Sequence, residues 1–301
     1  MTDRVLAVVG PTASGKSSAA MAAADGRDDV ELVAVDAFTI YRGMDIGTAK
    51  PSAADRAAVP HHCIDLLDPI EDVDVAWFQG VARAAITEVQ ARGHVPILVG
   101  GSGLYFRAVV DDMRFAPHDP DLRARLEEQW ADDPVGAYAA VAARDPAAAE
   151  RIEPNNLRRS VRALEVMELT GDLFSAYSDT PHESVVGDLD VLYLEPPTEL
   201  NRARIADRAE QMVAGGLVDE VAAIRARFGT LSTTAAQGIG YAEAAAILDG
   251  DASDEVLADE IARRTWGYAR RQRSWFRKDP RCADPVRSVE EAAARLRDLL
   301  P

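Results

Sequence analysis

Residues 4–18 read RVLAVVGPTASGKSS. An apolar run closes on a glycine, and Gly10, Gly15, Lys16 and Ser17 complete the pattern G-x-x-x-x-G-K-S. The physical reading is a buried strand, a tight loop and the start of a helix. The two glycines let the chain curl so that the amides of Thr12, Ala13, Ser14, Gly15, Lys16 and Ser17 turn inward; Pro11 lies among them without an amide. The helix that follows adds its positive end. Lys16 brings a charge for terminal phosphates, and the Ser17 hydroxyl can ligate Mg²⁺. A phosphate or diphosphate site is therefore expected over Gly10–Ser17. The loop alone does not say which, because nucleotide hydrolases, small-molecule kinases and diphosphate-using enzymes share it.

Working outward, residues 17–24 (SSAAMAAA) have good helix propensity. Residues 30–36 (VELVAVD), 95–103 (VPILVGGSG) and 188–197 (DLDVLYLEPP) read as further buried strands, with a helix over about 76–92. Strands spaced by helices imply an α/β fold, a P-loop-containing parallel sheet with helices on both faces. Residues 117–182 carry only helical signals, several opening on Asp-Pro, where proline suits a helix start. They are read as a helical insert domain within a core formed by 1–116 and 183–301. After residue 198 the chain reads as a helical C-terminal region.

Composition narrows the class. The 301 residues are 48% hydrophobic and 28% charged, as in a globular chain. No apolar run is long enough to span a membrane, and the first ten residues lack a signal-peptide layout, so a cytoplasmic location is expected. Two distant cysteines, Cys63 and Cys282, argue against a disulfide scaffold or a cysteine zinc site. The adjacent His61 and His62 read as a polar loop. A net charge of −17 by itself disfavours a nucleic-acid partner. Residues 263–278, RRTWGYARRQRSWFRK, break that trend: seven of sixteen are Arg or Lys, none is acidic, and four are aromatic. The aromatics read as core at helical spacing. The arginines read as phosphate contacts, since few acids stand near them in sequence.

Asp36 ends a buried strand, where ligands gather in open α/β sheets. A Walker-B-like metal carboxylate, a general base and a turn cap are all open to it on periodicity alone.

The blocks DAFTIYRGMDIGTAKP, PHHCIDLLDP, VPILVGGSGLYFRAV, RRSVRALEVMELTG, RIADRAEQMVAGGLVDEV, QGIGYAEA and RRQRSWFRK follow in order along the chain. Together they resemble the bacterial tRNA dimethylallyltransferases, also called tRNA isopentenyltransferases. The resemblance implies transfer of a five-carbon allyl group from dimethylallyl diphosphate to the exocyclic amine of the adenine 3′ of the anticodon. The loop would then hold the diphosphate leaving group with Mg²⁺ near Ser17. Lys16, Ser102 and Arg208 would assist, and Asp36 would be the base.

Arg208, read from its helix alone, is a surface arginine. Members mostly carry Thr where Ser102 stands, and the hydroxyl is kept. Ala37, Phe38 and Thr39 replace a stretch that often holds Ser and Gln, so contacts from those side chains depart from the pattern. The resemblance also places tRNA against Asp36–Thr39, against Arg158, Arg159, Ser160, Val161 and Arg162, against Gln237, Gly238, Ile239, Gly240 and Tyr241, and against Arg270, Arg271, Arg273 and Arg277. A monomer that binds the tRNA anticodon stem-loop is expected. The rival readings are a P-loop small-molecule kinase, an isopentenyltransferase of free adenine nucleotides and a phosphate-gated RNA-binding protein.

Overall fold

The computed structural model describes residues 3–177 and 181–301. The chain divides into two compact units, Met1–Val110 with Ser184–Pro301, and Asp111–Glu183. Residues 178–180, part of the stretch read as an insert, lie outside the described residues.

The larger unit runs β1 (Arg4–Val9), α1 (Lys16–Ala24), β2 (Val30–Val35), α2 (Ala53–Ala58), β3 (His61–His62), α3 (Val75–Ala91), β4 (Val95–Gly100) and α4 (Gly103–Val110). The smaller unit contributes α5 (Pro120–Trp130), α6 (Pro134–Arg144), α7 (Pro146–Ala149) and α8 (Leu157–Thr170). The chain then returns to the larger unit with β5 (Asp188–Tyr193), α9 (Thr198–Ala214), α10 (Leu217–Phe228), α11 (Tyr241–Leu248), α12 (Leu257–Phe276) and α13 (Val289–Leu299).

The five strands form one parallel sheet in the order β3-β2-β4-β1-β5. Leu6 of β1 and Leu32 of β2 both register with Ile97 of β4. The apolar runs are continuous because both faces are covered. Val5, Ala7, Val9, Val33, Val35 and Leu98 pack with Phe78 and Ile86 of α3 and with α4 and α10. Leu6, Val8, Leu32 and Ile97 face the other way, onto Ala20 and Ala23 of α1 and Leu296 of α13. The small alanine face of α1 lets that helix lie close to the sheet, which places its N-terminus at the end of β1.

One expectation is corrected at the sheet edge. His61 and His62 form a short parallel strand against Leu32 and Val33, not a polar loop. The buried carboxylate of Glu31 holds His62 there, while His61 Nδ1 lies 2.7 Å from Val59 O. His62 Nε2 lies 2.6 Å and His94 Nδ1 2.8 Å from the Glu31 oxygens. Burial opposes ionisation of Glu31, but hydrogen bonds from Arg92, His62 and His94 prevail and hold its carboxyl at about 2.

In the smaller unit each Asp-Pro junction is a helix start. Asp119, Asp133 and Asp145 accept the first-turn amides of α5, α6 and α7, and Asn156 does so for α8. Each such cap contributes about 1 kcal/mol. The unit has its own core, built on Leu122, Leu126, Val141, Ile152, Val161 and Leu164. Glu165 is fully buried beneath it, paired with Arg123 and Arg162.

Candidate active site

The phosphate loop follows β1 and opens α1, with Gly15 at φ 96° as the helix N-cap. That backbone region favours glycine. The first-turn amides of α1, Lys16 and Ser17 among them, have no carbonyl of their own helix to donate to. Two other amides of the loop are already engaged, which narrows the expected set of phosphate donors. Thr12 N–H donates to Gln272 Oε1 at 2.8 Å, and Ser14 N–H to Pro11 O at 3.3 Å. The Lys16 ammonium donates to Pro11 O at 2.7 Å.

Side chains from the helical C-terminal region clamp the loop. From α12, Gln272 takes the Thr12 amide and donates to Gly101 O at 2.8 Å, so one buried amide side chain ties the phosphate loop to the loop after β4. From α9, Asn201 donates to Thr12 O at 2.9 Å and Arg204 to Ser14 O at 3.2 Å. Arg208 reaches Thr12 Oγ1 at 3.4 Å and Thr48 O at 3.3 Å. Asn201 in turn accepts from the buried Arg273, which pairs with Glu195 at 3.0 Å. Gln272 and Asn201 were missed by sequence reasoning: Gln272 lies within the block RRQRSWFRK but was assigned no role there, Asn201 lies in no quoted block, and they act across 260 and 189 residues.

A cleft of about 620 Å³, its open mouth included, lies beside this loop. Thr12, Asp36, Thr48, Arg208 and Tyr268 bring polar groups to it, and Ile205, Met212, Ile239 and Ile261 apolar ones. Asp36 caps its own turn: Oδ1 accepts the amides of Phe38 at 2.8 Å and Thr39 at 3.3 Å. The same carboxylate therefore both fixes the turn and borders the cleft. Its charge is felt by two cations. Desolvation, then the neighbouring Arg208, lowers Lys16 to about 7, with Asp36 opposing. Desolvation also lowers Arg208, again against Asp36. The Arg208 Nε–H is buried without a hydrogen-bond partner among the described residues. Two desolvated cations facing one carboxylate are a site poised for an anion.

The other sequence-predicted residues fall into three groups. Phe38, Gly238, Ile239 and Tyr241 border the cleft. Ser102 lies in the loop after β4, its carbonyl capping α4 through the Phe106 amide at 2.9 Å. Its neighbour Gly101 approaches the Lys16 ammonium so closely that an added Cβ would sit 3.5 Å from Nζ. Ser17, Arg158, Arg159, Gln237, Arg270 and Arg271 are exposed, while Ala37 and Thr39 are half-buried and Gly240 is buried.

Several placements correct the expected tRNA contacts. Val161 is buried in the core of the smaller unit and Ser160 is buried as well, so neither side chain is exposed for the expected contact. Arg162 is bound to Glu165 and to the carbonyls of Ala116 and Pro117. Arg273 is buried and holds Glu195, Pro196 O and Asn201, so it is an internal strut. Arg277 also pairs with Glu195, though its side chain is 61% exposed. The premise that acids do not balance this stretch fails in space: Glu195, Glu243 and Glu260 meet Arg273 and Arg277, Arg264, and Arg263 respectively.

With this geometry in hand, a family model described as IPP transferase matches residues 39–279. The chain belongs to the IPP transferase family. A tRNA dimethylallyltransferase of Kineococcus radiotolerans is 46% identical, with 99% of this chain and 96% of the relative covered. A full-length tRNA isopentenylpyrophosphate transferase of Bacillus halodurans, solved by crystallography, superposes with a TM-score of 0.68 at 34% identity, over 99% of this chain and 95% of that one. A eukaryotic dimethylallyltransferase solved acting on tRNA superposes with a TM-score of 0.75 at 25% identity, over 91% of this chain and 70% of that one. No helix among this chain's described residues is long and apolar enough to cross a membrane.

Proposed function

We propose that the chain is a tRNA dimethylallyltransferase, transferring the five-carbon group of dimethylallyl diphosphate to the exocyclic amine of the adenine 3′ of the anticodon and releasing diphosphate. One observation carries this reading: Lys16 and Arg208, two desolvated cations at the phosphate loop, share surroundings with the Asp36 carboxylate, which borders the same cleft as Arg208. The anion that completes the pair is a leaving group, and the carboxylate serves the acceptor. The names of the relatives above support the same assignment.

The amine lone pair attacks the allylic carbon, the carbon–oxygen bond breaks, and its electron pair leaves on the diphosphate. Donors aimed at that developing charge lower the barrier selectively. Lys16, Arg208 and the first-turn amides of α1 supply them. Asp36 takes the amine proton as the carbon–nitrogen bond forms, because a neutral aryl amine is too weak an acid to lose it beforehand. Oδ1 already accepts two amides, so Oδ2 is the oxygen that receives the proton.

Mg²⁺ fits as a companion of the diphosphate. Among the described residues no group of three or more His, Cys, Asp or Glu could hold a metal alone. Ser17, exposed at the start of α1, offers a hard hydroxyl that would complete a shell built mostly of diphosphate oxygens. The ion would neutralise leaving-group charge there. Phe38 borders the cleft and can stack on an unstacked base, the usual way proteins hold a flipped nucleotide. The helical unit, with Arg158 and Arg159 exposed, is a second surface for the tRNA. The working state is a monomer in the cytoplasm.

Mass analysis of nucleosides from tRNA incubated with the protein, Mg²⁺ and dimethylallyl diphosphate tests this. One modified adenosine carrying a five-carbon group is expected. Phosphorylated product from ATP, or prenylation of free adenine nucleotides alone, would overturn the reading.

A further inference from the structure

The phosphate end of the cleft and its far wall lie along one helix. On α9, Arg204 contacts Ser14 O and Arg208 contacts Thr12 Oγ1. Ile205, Arg208, Ala209 and Met212 all border the cleft, at the spacing of one helical face. Met212 stands four residues beyond Arg208, roughly 6 Å along the axis. Further on, a Cβ at Gly215 would lie 3.9 Å from Ile46 Cγ2. The helix therefore runs from the phosphate loop, past the cation, to the segment 45–48.

Tyr241 closes the cleft at that end. Tyr241 borders the cleft yet is fully buried, so it stands there as close-packed wall and not as open lining. The ring has no slack. Its hydroxyl donates to Glu220 Oε1 at 2.7 Å. The same carboxylate accepts the amides of Asp45 at 3.0 Å, Ile46 at 2.8 Å and Gly47 at 3.5 Å, binding ring and segment together. A Cβ at Gly47 would sit 2.4 Å from the ring's Cε2, and one at Gly238 2.9 Å from Cδ2.

We infer that Tyr241, braced by Glu220, is the stop that sets the length of prenyl chain this cleft accepts. The inference rests on the proposed prenyl transfer. A five-carbon group anchored beside Thr12 and Arg208 spans about one helical turn, which brings its methyls to Met212 and Tyr241. A ten-carbon group has to displace the ring, break the Glu220 bond and push Gly47 away. A close-packed wall resists such a shift.

The test measures kcat/KM for geranyl diphosphate and for dimethylallyl diphosphate with the same tRNA, in the native protein and in Tyr241→Ala, Tyr241→Leu and Glu220→Ala. The ratio of geranyl to dimethylallyl use is expected to rise at least about tenfold in both Tyr241 variants, the low end of the discrimination a pocket achieves per methylene. A smaller rise is expected in Glu220→Ala, where the ring stays but loses its tether. Should Tyr241→Ala fail to fold, Tyr241→Leu, which keeps an apolar side chain in the core, decides. An unchanged ratio, including a parallel loss of activity on both substrates, overturns the inference. A native protein that makes no prenylated tRNA from dimethylallyl diphosphate overturns the proposed function instead, and the two failures are distinct.

Discussion

Lys16 is the residue at which charge, burial and ligand meet most directly. Desolvation, then Arg208, lowers it to about 7. In the unfolded chain it returns to 10.5. Between those values the native state binds fewer protons than the unfolded one, so stability falls as pH drops from about 10.5 to about 7 and levels off below. A bound diphosphate reverses the penalty, because its charge stabilises the ammonium. Binding above about pH 7 therefore takes up a proton, and affinity weakens as pH rises, by at most about tenfold per unit. Calorimetry at pH 8 in two buffers of different ionisation enthalpy should show this uptake in the native protein and lose it in Lys16→Met. Equal uptake in both would show that the diphosphate itself, not Lys16, gains the proton. The role of Lys16 was legible in the motif because the loop is local. That of Gln272 was not, because its partners Thr12 and Gly101 lie far away in sequence.

At the scale of elements, α9 and α12 are the frame that holds the loop. Their link runs from Glu195 to Arg273, to Asn201 and on to the Thr12 carbonyl. Breaking a buried ion pair from one side leaves the other charge unpaired, at a cost of about 3–5 kcal/mol. Glu195→Ala should lower the unfolding free energy by that amount, read as a lower urea midpoint at an unchanged slope, and should weaken diphosphate binding because the loop loses its brace. A destabilisation below about 1 kcal/mol would mean Arg273 finds other partners. Strands and insert helices were legible, the strands from continuous apolar runs and the helices from Asp-Pro starts. The edge strand was not: two residues, both histidines, carry no pattern, and their partners, Glu31 for His62 and the Val59 carbonyl for His61, are not marked in the sequence. Arg273 was misread for the same reason, since the acid that pairs with it stands 78 residues away.

For the whole molecule, the problem is an acidic protein, net charge −17, that must approach RNA. Among its exposed cations are two adjacent pairs, Arg158 and Arg159 on α8, and Arg270 and Arg271 on α12, with the Arg271 guanidinium 5.8 Å above the Tyr268 ring. Each RNA phosphate that a side-chain cation neutralises adds roughly one unit to the slope of tRNA affinity against salt. Arg158→Ala with Arg159→Ala should raise the KM for tRNA and reduce that slope by roughly 1 to 2, while the diphosphate binds as before. An unchanged slope would remove the helical unit from the tRNA interface.

The central claim is that Asp36 serves the acceptor while Lys16 and Arg208 hold the departing anion. Single-turnover transfer by Asp36→Asn, with diphosphate affinity measured on the same protein, tests it most directly. The account predicts a chemical step slower by about 10²–10⁴-fold, with the diphosphate bound at least as tightly, since a negative charge beside it has been removed. A native rate in that variant, or a collapse of Mg²⁺-dependent diphosphate binding, would contradict it.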